Sequence, residues 1–248
     1  MKKWLHIAWL FLLISCEKNI NFNLDSSQPT LVVEAQIEND KAPVVVLSNS
    51  LDFYSQLSPA ILESSFVHDA EVYISNGTFT HKLKEYTRPL IPGFNSYFYS
   101  IDSSNLSTAF NGELNHEYDL RIVANGKEYL SHTKIPALTW FPDSVYFKPA
   151  PQNPDTMKRV MFAHATEPAG LGNYLRYFTK RNNEPFLPGP NSVFSDEIID
   201  GTTYTIQVEP GINRNDPPKP GDNFFMVGDS VTFKFCNIDK ATFQFWNT

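Results

Sequence analysis

The sequence predicts an all-β protein of two consecutive β-sandwiches, and three observations carry that expectation. Apolar residues recur at every second position in run after run, which is the period of a half-buried strand. Aromatic content is 14%, with 20 Phe and 11 Tyr, residue types that favour strands. The 18 prolines interrupt the chain too often for long helices. With only 2 cysteines there is no disulfide framework, so the 42% hydrophobic content must stabilise the fold through packed apolar faces.

The elements follow in order. Leu31, Val33, Ala35 and Ile37 share one face of a first strand, and Val44-Val45-Val46-Leu47 is a short buried one. Glu71 to Ser75 and Thr78 to Leu83 flank Asn76-Gly77, and Tyr118 to Val123 and Lys127 to Leu130 flank Asn125-Gly126. Asn-Gly between alternating runs signals a tight hairpin, because a type I′ turn needs positive φ at both central residues. Tyr97 to Ile101 adds a strand between the hairpins. About seven strands in roughly a hundred residues suits an Ig/fibronectin-like sandwich. Ile135-Pro136-Ala137-Leu138 breaks the pattern and separates a first sandwich, 29–136, from a second, 137–248. Strands are expected in the second at Asp143 to Phe147, Arg159 to Ala165, Tyr174 to Thr179, Tyr204 to Val208 and Val231 to Cys236. Pro-rich loops, Glu184 to Pro190 and Pro210 to Pro220, separate them, and Thr242 to Thr248 alternates like a last strand, either cut short or paired internally. The one helical stretch expected lies at the N-terminus.

There, Lys2 and Lys3 precede an apolar run from Trp4 to Ile14, broken only by His6, and small Ser15 stands before Cys16. Charge, short apolar run and small residue in that order form a secretory signal peptide. At about eleven residues the run is too short to span a bilayer core of roughly 30 Å. A cysteine at the cleavage point resembles the bacterial lipobox, which implies removal of 1–15 and a lipid on Cys16. A secreted chain without lipid is the alternative. Residues 16–28 then form a tether, or add an edge strand through Ile20-Asn21-Phe22-Asn23-Leu24. Cleavage removes two lysines and no acid, moving the net charge from -7 to -9. An acidic surface repels nucleic acid and anionic lipid alike, so no nucleic-acid partner is expected and the membrane is reached through the lipid anchor. Each buried acyl CH₂ contributes about 0.8 kcal/mol. Cys236 then has no intramolecular partner; in its alternating run it reads as a small buried hydrophobe, with a reactive thiol or a dimer bridge as the alternatives.

Several landmarks in order resemble a Bacteroidota lipoprotein family, the domain of unknown function 4249. They are Cys16, Leu31-Val32-Val33-Glu34-Ala35, Asp69-Ala70-Glu71-Val72-Tyr73-Ile74 and Glu117-Tyr118-Asp119-Leu120-Arg121-Ile122 in the first half. Ala169-Gly170-Leu171-Gly172-Asn173-Tyr174, Asp200-Gly201 and Gly228-Asp229-Ser230-Val231 follow in the second. The chain departs from the family at Ala35, where Gly is usual, and in lacking a further Gly/Asn-rich stretch and strand after its end. The resemblance implies an outer-membrane, lipid-anchored cell-envelope protein associated with a TonB-dependent receptor. It supplies no catalytic residues.

Catalytic motifs are absent from the sequence. No HExxH or HxH groups His68, His81, His116, His132 or His164, no GxSxG elbow occurs and no Gly-rich phosphate loop follows a strand. Neither catalysis, metal nor cofactor is expected. Asp196, Glu197 and Asp200, like Asn213, Asn215 and Asp216, lack EF-hand spacing and read as solvated turns. A glycan-binding alternative needs exposed aromatics from among Trp140, Tyr97, Tyr99, Phe224 and Phe225, with Phe224 and Phe225 the leading ligand contacts because they adjoin a Pro/Gly loop. An envelope hydrolase is a third reading and requires converging titratable groups in a cleft. Ser144, Thr156 and Ser230 each follow Asp and precede an apolar residue, resembling the O-glycosylation sequence of this phylum; Thr156 lies in a Pro/Asn-rich loop.

Overall fold

A computed structural model describes residues 29–52, 55–217 and 221–247. The described residues form antiparallel strands and two short helices. The first seven are β1 (Leu31–Gln36), β2 (Val44–Asn49), β3 (Glu71–Ser75), β4 (Thr80–Ile91), β5 (Phe94–Ile101), β6 (His116–Ala124) and β7 (Lys127–Ile135). They form one sheet in the order β1-β2-β5-β4-β3-β6-β7. β4 makes this possible. Its first residues pair with β3 and the stretch from Leu83 to Ile91 pairs with β5, so one long strand serves both halves of the sheet. Val45, Leu47, Val72, Ile74, Leu83, Tyr99, Ile122 and Ala124 from both halves meet in one core. The sandwich is thus a single sheet closed over its own apolar face.

The next seven are β8 (Pro142–Pro149), β9 (Lys158–Thr166), β10 (Tyr174–Arg181), β11 (Leu187–Ser195), β12 (Thr203–Val208), β13 (Phe225–Met226) and β14 (Val231–Ile238). One sheet has β9 between β8 on one side and β12 and β13 on the other; the second runs β11-β10-β14. Their shared core is aromatic: Tyr177 and Phe225 are buried with Met161, and Phe194, Phe233 and Phe235 pack around them. Trp140 is fully buried just before β8, edge-on to Tyr204 and Phe235. Asn237 of β14 clasps its backbone, accepting from Trp140 N at 3.2 Å and donating to Trp140 O at 2.7 Å. Across the two halves Lys234 pairs with Glu38, and Thr133 Oγ1 donates to Asp239 at 3.1 Å.

Several expectations are corrected. Two helices exist beyond the N-terminal region. α1 (Pro59–Ser65) starts at Ser58, whose hydroxyl accepts from Ile61 N, with Pro at the first position, where its missing N–H has no intrahelical partner to lose. Thr242 to Asn247 is not a strand, because most of it lies in α2 (Lys240–Trp246), capped by Asp239, which accepts from Thr242 N at 2.6 Å. Phe243 and Trp246, three apart, then share a helix face, Phe243 meeting Tyr174 with centroids 5.0 Å apart. The loop at Glu184 to Pro190 contains the start of β11. Pro188 and Pro190 are tolerated because β11 is an edge strand, and its register slips opposite Arg176 and Phe178. β1 is open on both faces: Val32 and Val33 are 46% and 39% exposed, and only Leu31 at its start and Ile37 just past its end pack on the core. Of the two Asn-Gly pairs, Asn125-Gly126 has both φ values positive, whereas at Asn76-Gly77 only the glycine does. Asn76 instead spans a longer loop, its Oδ1 accepting from Thr78 N and Phe79 N.

Candidate functional site

Along β6, Tyr118, Ile122 and Ala124 point into the core, which turns Glu117, Asp119 and Arg121 outward. Register places Lys134, His132 and Leu130 of β7 opposite those three. On the other side of β6, Ser75 and Tyr73 of β3 face Asp119 and Arg121. Two adjoining depressions of about 390 and 530 Å³ result, sharing Asp119 and His132. The first is rimmed by Asn76, Asn115 and His116; the second is floored by Tyr73 and Leu120 and edged by Leu130, which is 74% exposed.

His132, Asp119 and Glu117 in this trough are paired with each other. His132 Nδ1 lies 2.8 Å from Asp119 Oδ1, and its Nε2 lies 3.9 Å from Glu117. The hydrogen bond to Asp119, reinforced by the two carboxylate charges, raises the His132 pKa above its ordinary value. Arg121 bonds Glu128 at 2.9 Å and lies 4.5 Å over the Tyr73 ring, and Lys82 pairs with Glu71 at 3.0 Å. That bond holds the Glu71 carboxyl below its usual value. Both ring nitrogens of His132 face acids, and neither has a free lone pair aimed at a hydroxyl or thiol. General-base work needs such a geometry.

The other histidines have separate duties. His81 is 1% exposed; it bonds Thr108 Oγ1 through Nδ1 at 3.0 Å, and its Nε2 accepts from Asp102 N at 3.1 Å. Burial lowers its pKa and it sits neutral in the first core. His68 meets Glu85, His116 meets the Asn76 carbonyl and His164 meets Thr205. Among the described residues, no three His, Cys, Asp or Glu side chains are grouped so as to hold a metal ion.

The acidic turn at Asp196 is not solvated. Asp196 and Glu167 are each 1% exposed, and Asn173 joins them. Asn173 N donates to Asp196 Oδ2 at 2.7 Å, and Asn173 Nδ2 donates to Glu167 Oε1 at 2.8 Å. Gly201 N donates to Glu167 Oε2, and Gly170 N to Asp200 Oδ1, both at 2.6 Å. The 169–174 and 200–201 motifs are therefore one knot whose carboxylates are used up on neighbouring N–H donors. Asn213 and Asp216 bond each other at 3.1 Å in an exposed turn.

The aromatic candidates do not form a platform. Phe225 is 1% exposed and meets Phe147 inside the second core, so it cannot touch a ligand; Trp140 and Tyr99 are likewise core residues. Phe224 is half-buried beneath Lys158, and the Tyr97 hydroxyl is spent on Glu63 at 2.9 Å. Ser144, Thr156 and Ser230 are exposed, on β8, on the turn before β9 and just before β14. Cys236 is half-buried on β14, and burial pushes its thiol pKa up, which disfavours the reactive thiolate. Cys16 lies outside the described residues.

The sequence pattern of the family described as Domain of unknown function (DUF4249) matches residues 17–248. The chain belongs to this family. No curated protein is detectably similar to it. Within this DUF4249 chain, the strand carrying Glu117, Asp119 and Arg121 and the knot at Asn173 are both segments that carried the resemblance. The first presents the trough and the second secures loops around β9 and β10.

Proposed function

We propose that the chain is a non-enzymatic, lipid-anchored protein of the bacterial outer membrane, of the Bacteroidota type, that binds a protein partner associated with a TonB-dependent receptor. The observation that carries the binding role is the trough on β3, β6 and β7, where charges of both signs and the exposed Leu130 stand in cross-strand rows and His132 is bound by two acids. Lipid on Cys16 holds the body at the membrane and raises its effective concentration at a membrane partner. The signal peptide and cysteine spacing support that address. The test is co-purification from native membranes. A tagged chain retains an outer-membrane receptor, a Glu117→Lys/Asp119→Lys variant loses it while melting as the wild type does, and Cys16→Ala leaves the membrane fraction. Equal retention by the charge-reversed variant would sink the role of the trough; unchanged fractionation of Cys16→Ala would sink the anchor.

A further inference from the structure

One end of the first sheet meets the second half of the chain. Glu38, just past β1, pairs with Lys234, and Thr133, near the finish of β7, bonds Asp239. Gln36 lies opposite Val44, Ile101 opposite Leu83, Ser75 opposite Thr80 and His116 opposite Ile135, so β1 and β7 finish at the same end. At the other end Leu31 lies opposite Asn49. Because β2 and β5 run antiparallel, the start of β5 at Phe94 belongs to that end too. The chain therefore enters the sheet at the end where β4 turns into β5.

That turn is apolar and stands out from the sheet. Among the described residues β3 pairs with β4 only as far as Lys82, and β2 pairs with β5 only at Tyr99, so the hairpin from Tyr86 to Phe98 has no third strand. Its tip is Ile91-Pro92-Gly93-Phe94, with proline and then a glycine at φ 80°, as a type II turn requires. The register slips between Pro89 and Ile91, and the bulge at Leu90 re-aims that side chain. Leu90 and Ile91 are 50% and 58% exposed. α1 braces the arm: Glu63 Oε1 accepts from Asn95 Nδ2 at 3.0 Å and from the Tyr97 hydroxyl at 2.9 Å, and Phe66 and His68 lie against the Tyr97 ring. Single exposed apolar residues are ordinary. These two are adjacent, are carried on a braced arm and stand at the point of chain entry.

We propose that the tip of the β4–β5 hairpin inserts into the surface of a phospholipid bilayer and so fixes which end of the body faces the membrane. This deepens the lipid-anchored reading and rests on it for the native tether. From Cys16 to Thr30 the chain spans at most about 50 Å, at roughly 3.3–3.6 Å per residue. An anchor at that distance keeps the body close and leaves its orientation free. The tip supplies the orientation. Leu90 and Ile91 enter the apolar layer, while Arg88 lays its stem along them and keeps its charge among the headgroups. Arg88 is the only charged residue from Thr87 to Tyr97, so no acid on the arm opposes lipid phosphate. Two side chains hold a free protein weakly, but a tether at the same end makes their insertion an intramolecular event. The second half then stands away from the lipid.

A tryptophan placed at the tip reads its depth through quenching by brominated lipid. In a Trp246→Phe background the mature chain keeps only Trp140, which is fully buried. A hexahistidine before residue 17 and a nickel-chelating lipid hold this chain on phosphatidylcholine vesicles, so the reading does not depend on acylation of Cys16. Brominated phosphatidylcholine is expected to quench Leu90→Trp, with a blue shift of its emission. Leu106→Trp is the control: Leu106 is 65% exposed and follows β5 at the end that meets the second half, and it should escape quenching. Adding Ile91→Asp to Leu90→Trp should remove most of the quenching. Leu90→Trp left unquenched, or Leu106→Trp quenched as strongly, would overturn the proposal. A blue shift that grows with protein concentration in the absence of vesicles would assign the tip to a second copy and overturn it equally. Should the melting curve show Leu90→Trp unfolded, Ile91→Trp takes its place. Quenching confined to the tip supports insertion even where the native chain carries no acyl mass, a result that would sink the anchor alone.

Discussion

The seven-stranded sheet and the pair of smaller sheets solve the same problem with different materials. The first closes one continuous sheet over aliphatic residues such as Val45, Leu47, Val72 and Ile122, and the polar group it buries deepest is a neutral histidine, His81. The second faces two short sheets across aromatic rings and buries two carboxylates, Glu167 and Asp196, tied to loops by Asn173. A continuous sheet supplies its own backbone bonds around the bend. Two short sheets need their connections fixed by other means, and here an indole and a knot of carboxylates fix them.

Removing those fixings should expose the difference. Trp140→Ala has the largest expected effect, a loss of about 3–5 kcal/mol in denaturant unfolding, because it empties a fully buried site between both small sheets. If the halves unfold separately, the loss appears only in the later residues' transition. Glu167→Gln comes next. It sets an amide N–H where Glu167 now accepts from Gly201 N or Asn173 Nδ2, at a cost of about 1–3 kcal/mol. Hydrogen exchange should quicken at 167–173 and 200–202 while the first sheet stays protected. Asp239→Ala removes the α2 cap and the bond to Thr133, costing about 1 kcal/mol in thermal unfolding.

Acid should weaken the first sheet through its inner histidine. The folded-state pKa of His81 is lowered, so the unfolded chain takes up the proton first as pH falls through about 6.5. Its contribution is complete above that pH and declines below it, so melting temperature falls from pH 7 to 5. His81→Gln flattens that slope. His132 has the opposite sign: its raised pKa gives a contribution present below about 6.5 and lost as pH rises through the folded-state value. Being exposed, this contribution is small and salt-sensitive, and a slope unchanged by His81→Gln would assign the acid effect elsewhere. The least effect is expected from Lys82→Ala, which breaks an exposed, solvent-screened pair with Glu71 and should leave the melting curve almost unchanged.

The same contrast governs what the sequence discloses. Alternation at Glu71 to Ser75 and Tyr118 to Val123, with Asn125-Gly126, made β3, β6 and β7 legible, because one buried face imposes period two. The outward row Glu117, Asp119 and Arg121 was visible in that period. Its partners His132, Leu130 and Lys134 were not, since they depend on register across a turn. β11 was hidden by prolines that only an edge strand accepts. α2 was hidden because seven residues with Phe at alternate positions also fit a helix turning Phe243 and Trp246 to one side. Burial of Glu167 and Asp196 left no local mark, as Gly201 N lies 34 positions from Glu167.

The clasp between Trp140 and Asn237 spans 97 positions. As the chain emerges, the first sheet has every strand it needs once Ile135 is out, whereas the connector cannot lock until nearly the last strand has appeared. Closing so long a loop is entropically slow. Folding is therefore expected to run vectorially, the leading half forming before the trailing half. A stop codon or proteolytic nick shortly before position 237 would then release a finished leading half joined to an unlatched remainder.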